Sequence, residues 1–262
     1  MAYTERIPIK TRKEIEIMRE SGRHVAEILL ELKDMVRPGI TTAEIDRRAE
    51  QAIEERGLTS SFKGYDPRGL PKYPAVICAS VNDEIVHGIP GNRVLEEGDI
   101  IGVDFGIEQG GFHGDSAVSV PVGEVGPEEQ RLLDTTREAL ECGAQMMVPG
   151  KRLSDVGHAI QQRIEKEGYS VIRIFAGHGI GRKMHEPPWV PNYGRPGRGP
   201  RLVPGMVLAI EPMVAVGKPD VRMLDDEWTA VTADGSMSAH FEHTILITES
   251  GPEFLTRVQG SH

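Results

Sequence analysis

The 262-residue sequence contains only two cysteines, Cys78 and Cys142. They are too few for a disulfide framework and lack the CxxC spacing of a zinc or redox site, so a reducing compartment is expected. Nowhere do about 18 apolar residues follow one another, and Met1-Ala-Tyr-Thr-Glu-Arg runs into a charged stretch with no signal-peptide core. The expected location is cytoplasmic, with no membrane partner. Basic side chains are outnumbered, 30 Lys and Arg against 40 Asp and Glu, and the formal charge of -10 disfavours phosphate backbones, so no specific nucleic acid is expected. Low-complexity tracts are absent, which excludes disorder, collagen and coiled coil, and 39% hydrophobic with 27% charged residues is the profile of a globular chain. The length fits one or two domains.

From Thr11 to Met35, Ile15, Met18, Val25, Ile28, Leu29 and Leu32 recur at helical spacing until Pro38-Gly39. A second helix is expected from Thr41, where Thr41-Thr-Ala-Glu44 has capping-box spacing, to a stop at Gly57. Between Ala75 and Val122 the apolar runs are short and β-branched, hence strands. Helical periodicity returns over Glu128–Met147 and Leu153–Glu167, then strands over Val171–Phe175, Met206–Val216 and Phe241–Ile247. An offset of about 111 residues lays Pro38-Gly39 on Pro149-Gly150, Ile45 on Val156, Ile53 on Ile164 and Gly57 on Gly168. The chain therefore reads as a duplication whose halves share one sheet, with a cleft at their seam as the place for a site.

Carboxylates interrupt strands that otherwise look buried: Asp104 in Val-Asp-Phe-Gly, Glu211 in Ala-Ile-Glu-Pro, Glu242 in Phe-Glu-His-Thr, and Asp115 in Phe112-His-Gly-Asp-Ser. A lone buried carboxylate costs several kcal/mol, of order, unless paired, protonated or bound to a cation. A two-residue turn at Gln109-Gly110 would set Asp104 directly opposite Asp115, with Cβ atoms about 5 Å apart. Either aspartate alone reads as a turn cap or a solvated strand end. Both in register, with Glu211 and Glu242 in similar strands of the second half, read as a metal site.

A histidine should complete it, because carboxylate with imidazole suits first-row metals. Among nine histidines, His178 sits in the glycine-rich Ala176-Gly-His-Gly-Ile-Gly181, expected as a turn after a strand, with His185 seven residues on and His87 in another strand-end turn. A dinucleotide loop is the rival for these glycines. The spacing is GxGxG, and Pro187-Pro188 arrives too soon for a following helix.

In Asn82-to-Pro90, Gly102-to-Asp115, Gly177-to-Glu186, Gly205-to-Met213 and Ser238-to-Thr244 the chain resembles the type I methionine aminopeptidases of the pita-bread fold, and the similarity spans Thr11 to Thr256. The resemblance implies an α+β fold. Two pseudo-symmetric helix-helix-strand halves, roughly 11–122 and 127–248, would share a curved antiparallel sheet covered by helices within one catalytic domain. It implies that Asp104, Asp115, His178, Glu211 and Glu242 bind two divalent metals (Co, Mn, Fe or Zn). Asp104 would chelate one, Asp115 and Glu242 bridge, and His178 and Glu211 complete the other.

The implied reaction removes an N-terminal methionine from nascent proteins and peptides with a small second residue. A bridging hydroxide attacks the first carbonyl, Glu211 shuttles the proton, His185 bonds the carbonyl or oxyanion, and His87 faces the scissile nitrogen. The methionine side chain would enter a pocket of Phe62, Tyr65, Tyr73, Cys78, Met184 and Trp228. Phe62 stands where cysteine is common, Met184 where phenylalanine is common, and Asp66–Lys72 is an insertion. A monovalent cation near Asn82, Glu84 and Ser238 is a further implied feature. So are nascent N-termini as partners, a transient ribosome contact and a monomeric state.

Three rivals are weighed against this. X-prolyl peptidases of the same fold usually carry an N-terminal domain, for which the first helix at Thr11 leaves no room. Type II methionine aminopeptidases have a long insertion where this chain has only 33 residues, from His178 to Glu211. A metal-free binding module would be expected to lack a ligand, and none is missing.

Overall fold

The computed structural model describes residues 6–67, 69 and 71–258. Met1–Glu5, the tail Gln259–His262, and Arg68 and Leu70 of the Asp66–Lys72 insertion lie outside the described residues. Helix α1 (Arg12–Met35) starts where Thr11 and Glu14 cap each other's backbone N–H groups. The same device, Thr41 with Glu44, starts α2 (Thr42–Arg56), and Gly57 stops it in the left-handed region at φ 62°. Strands β1 (Thr59–Ser60), β2 (Ile77–Val81), β3 (Glu84–Val86), β4 (Ile100–Gln109) and β5 (Phe112–Pro121) follow. The pattern then restarts with α3 (Pro127–Gln145) and α4 (Leu153–Lys166). The remaining strands are β6 (Ser170–Val171), β7 (Gly177–Gly179), β8 (Glu186–Val190), β9 (Val207–Ile210), β10 (Met213–Ala215), β11 (Val221–Met223), β12 (Ala230–Thr232), β13 (Ser238–His240), β14 (Glu242–Thr248) and β15 (Gly251–Phe254).

The 111-residue offset carries through to conformation. Gly39 and Gly150 have φ of 89° and 90°, and Gly57 and Gly168 both lie in the left-handed region. Ile45 and Val156 are both fully buried. The residues before α2 and α4, Thr41 and Arg152, each form an isolated antiparallel bridge, to Val94 and Arg201.

Among the described residues nine strands make the main sheet, in the order β1-β4-β5-β14-β9-β7-β8 with β2 on β4 and β15 on β14, and every pairing is antiparallel. Two three-stranded sheets, β13-β10-β6 and β11-β12-β3, flank it. This is the α+β architecture expected, and the halves meet where β5 lies beside β14. Val103, Phe105 and Ile107 of β4 pack with Val25, Ile28 and Leu32 of α1 and Ile45 of α2. Leu208 and Ile210 of β9 and Ile245 and Ile247 of β14 pack with Leu132, Leu140, Val156 and Ile160 of α3 and α4. With side chains alternating along each strand, the helices occupy one face and leave Asp104 and Glu242 on the other. Among the described residues no helix is long and apolar enough to cross a membrane.

Two expected strands are shorter than the sequence suggests. Val171–Phe175 is a strand only through Val171, and Met206–Val216 breaks at Glu211-Pro212 into β9 and β10, which belong to different sheets. Proline supplies no N–H for a ladder bond, so the chain leaves the main sheet there.

Candidate metal centre

The β4–β5 hairpin turns one residue later than the sequence suggests. Gln109 pairs with Phe112, and Gly110 and Gly111 form the turn with φ of 58° and 80°. Two successive residues with positive φ make the tight turn that matches strand twist, and two glycines adopt it without strain. Asp104 therefore pairs with Ala117, and Asp115 with Gly106, rather than with each other. Moving the turn by one residue moves each partner by two, so both aspartates keep the same face and lie diagonally across it. Gly106 matters here because a Cβ would lie 3.0 Å from Asp115 Oδ1 and 2.9 Å from Phe62 Cε1.

From the second half, Glu242 opens β14 and pairs with Ala117 across the seam. Around that pair the ladder is stitched by hydroxyls. Thr244 Oγ1 accepts from Asp115 N–H at 3.1 Å and donates to Asp115 O at 2.8 Å. Ser119 Oγ accepts from His240 N–H at 2.9 Å and donates to His240 O at 2.8 Å. Ser116 Oγ donates to Glu242 O at 2.6 Å.

His178 lies within β7, not in a turn, and its flanking glycines answer to crowding. A Cβ at Gly177 would come within 2.4 Å of Ala209 O, and one at Gly179 within 2.3 Å of Pro187 O. The imidazole donates Nδ1–H to Gly179 O at 2.9 Å, which leaves the Nε2 lone pair 3.6 Å from Glu211 Oε1. Ligand atoms of Asp115, His178 and Glu242 all lie within 4.8 Å of one another.

This cluster is acidic by composition and largely shielded from solvent, with Asp115, His178 and Glu242 buried. Burial pushes Asp104 up to about 7. Burial, then Glu242 and Asp104, push Asp115 well above the carboxylate range. Glu211 is raised by burial, Asp115 and Asp104, and Glu242 by burial, Glu211 and Asp104. Burial lowers His178 to about 3, so it is neutral at physiological pH. Asp104 Oδ1, Asp115 Oδ1 and Glu242 Oε1 are buried with no hydrogen-bond partner among the described residues. Unpaired acceptors beside a neutral imidazole fit a divalent cation, which removes both the repulsion and the missing bonds.

Beside this cluster, the His185 ring lies 4.2 Å from that of His178, and its Nδ1 is 2.6 Å from Tyr65 Oη. His87, at φ 62°, sits edge-on to Phe175 and Trp228, with ring centres 5.6 and 6.3 Å away. Phe62, Tyr73, Cys78 and Trp228 form one buried cluster, with Tyr65 and Met184 against it, so all six expected pocket residues come together. Tyr73 Oη donates to Gly88 O at 2.9 Å, holding that ring against the turn after His87. Asn82 and Ser238 are joined by Ser238 N–H to Asn82 O at 2.8 Å. The Glu84 carboxylate accepts from Val81 N–H and pairs with Arg93.

The sequence reading missed His240. Its Nε2 is buried with no hydrogen-bond partner among the described residues, 3.9 Å from Glu211 Oε2. Burial and His87 hold it neutral, lowered to about 3. Period-two alternation from Glu242 was the available signal.

The sequence profile of metallopeptidase family M24 matches residues 16–249. The methionine aminopeptidase 1 of Bacillus subtilis is 53% identical over 95% of this chain and 98% of that protein. The methionine aminopeptidase structure from Thermotoga maritima superposes with TM-score 0.93 at 46% identity, covering 97% of this chain and 100% of that one. A Xaa-Pro dipeptidase from Bacillus anthracis shares the fold at TM-score 0.76 and 24% identity, and this chain covers 63% of its length. With the profile match over most of its length and relatives of this identity, this chain belongs to metallopeptidase family M24, on its methionine aminopeptidase branch.

Proposed function

We propose that the protein is a type I methionine aminopeptidase that removes the N-terminal methionine from nascent polypeptides and peptides with a small second residue. The observation that carries this reading is the convergence of buried carboxylate oxygens with no hydrogen-bond partner among the described residues, beside a buried cluster of aromatic and sulfur side chains. Asp104, Asp115, His178, Glu211 and Glu242 would hold two divalent ions of the Co, Mn, Fe or Zn type. When bound, such ions supply Lewis acidity and a nucleophile derived from water at neutral pH.

The protein's own groups do the rest. Glu211, raised in pKa by burial and by Asp115 and Asp104, is suited to accept a proton and pass it to the leaving amine. Tyr65 Oη lies 2.6 Å from His185 Nδ1, and a hydroxyl that donates there leaves the ring proton on Nε2, the form that can donate to a carbonyl oxygen or developing oxyanion. His87 faces the scissile nitrogen. Phe62, Tyr65, Tyr73, Cys78, Met184 and Trp228 receive the methionine side chain, whose thioether favours ring edges and soft neighbours.

In the same reading residues 1–262 form one catalytic domain of two halves, acting as a cytoplasmic monomer with transient ribosome contact. A monovalent cation would sit by Asn82, Glu84 and Ser238. The decisive experiment is a small peptide panel with Co(II), Mn(II) or Fe(II) added after dialysis against chelator. Met-Ala and Met-Gly peptides should release methionine only with metal, and Ala-Pro peptides should stay intact. Full activity in excess chelator, or preferential cleavage before proline, would overturn the reading.

A further inference from the structure

Strand β8 alternates in burial: Pro188 and Val190 are buried, whereas Trp189 between them is 57% exposed. Among the described residues it is the one aromatic ring that is more than half exposed, although tryptophan is highly buried on average. Its direction is set by register. Trp189 pairs directly with His178, and directly paired residues share a face, so the indole stands on the side of the sheet that carries the metal ligands.

There it extends a row of rings. Tyr65 lies 5.5 Å from His185 at an interplanar angle of 32°, and His185 lies 6.3 Å from Trp189 at 35°. The rings thus lead from Tyr65, against the pocket cluster, through His185 to Trp189 at modest tilts. Two residues of extended peptide span about 7 Å. A substrate whose first carbonyl meets His185 and whose chain follows these rings thus brings its third side chain over the indole.

We propose that Trp189 is a specificity-determining residue, forming a subsite for the third residue of the substrate and favouring a large apolar or aromatic side chain there. This rests on the aminopeptidase reading, and extends it outward from the scissile bond. An indole face offers a wide, rigid apolar contact with only two side-chain torsions to fix. The subsite therefore discriminates by size and polarity rather than by hydrogen bonding.

The test uses the full chain loaded with Mn(II) and three peptides, Met-Ala-Gly-Ser, Met-Ala-Leu-Ser and Met-Ala-Phe-Ser. Wild-type kcat/KM should favour Leu or Phe over Gly by about five- to tenfold, the size expected when an apolar side chain is partly covered by the ring. Trp189→Gln should bring the three substrates to within about twofold of one another, and Trp189→Phe should restore most of the preference. Equal wild-type rates for the three peptides would overturn the subsite. So would a Trp189→Gln protein that loses activity equally on all three, because a ring that merely supports His185 affects every substrate alike. Failure of the wild-type protein to cleave any of the three with metal would sink the aminopeptidase reading and the subsite together.

Discussion

Loading the site with metal should expel protons, and the structure says which groups release them. Asp104 is held up to about 7 by burial, so at pH 6 it is about nine-tenths protonated before metal arrives. Asp115, Glu211 and Glu242 are also shifted up by burial and by one another. His178, lowered to about 3, is already neutral and contributes none. Metal requires the carboxylates ionised, so binding at pH 6 should release about one proton from Asp104 and more from its neighbours, up to four in all. At pH 7.5, above the value of about 7, Asp104 is more ionised before metal arrives, and its share of the release should be smaller.

Calorimetric titration of chelator-stripped protein with Mn(II), in two buffers of different ionisation enthalpy, reads that number directly. A buffer-independent enthalpy at pH 6 would refute the burial argument. The stability of the stripped protein should follow the same sign. An acid whose folded pKa is raised holds a proton that the unfolded chain has already lost, so stability falls as pH rises towards the folded pKa. Above pH 6.5 the opposing contribution of the buried histidines fades, since more than half of each unfolded imidazole is then neutral. The thermal midpoint should therefore drop between pH 6.5 and 8 without metal, and hold steady with it.

Glu211→Gln should lower kcat at least about a thousandfold while leaving the stripped protein's thermal midpoint equal or higher, because it replaces a buried acid whose ionisation is disfavoured with a neutral group of the same shape; a collapsed midpoint would make the residue structural. His185→Ala should lower kcat more than it raises KM, and Tyr65→Phe should give a milder version of the same split by freeing the tautomer; a pure KM effect would assign both to ground-state binding. Thr244→Val removes both hydroxyl bonds to Asp115 and should cost about 2 kcal/mol of folding stability and weaken metal binding, whereas Thr244→Ser should keep both. Denaturant titration with parallel metal titration checks this, and a neutral Thr244→Val would show that the seam does not need the bridge.

Local rules reached far into this fold because helix starts are decided by nearby atoms. Thr11, Thr41 and the glycines at 39, 57, 150 and 168 announce themselves within a few residues. Buried acids were equally visible, since Asp104, Glu211 and Glu242 interrupt apolar runs. What stayed hidden depends on neighbours far along the chain. Nothing local chooses Gly110-Gly111 over Gln109-Gly110 as the turn, and the choice moved every partner in the hairpin. The glycines around His178 look like a turn until Ala209 and Pro187 press against them. The six pocket side chains come from separated stretches, and their grouping was carried by family resemblance rather than by periodicity. His240 and Trp189 were missed because each takes its direction from a strand neighbour rather than from a motif.

The hydroxyl stitches between β5 and β14 have a consequence for how the molecule comes to life. Asp104 and Asp115 emerge early on one hairpin, whereas Glu211 and Glu242 follow only after two more helices. Until Thr244 clasps Asp115 and Ser119 clasps His240, the early pair is an exposed, self-repelling half-shell. A chain that has formed only its first half therefore lacks two of the four acids, and the cluster is complete only once β14 lies beside β5.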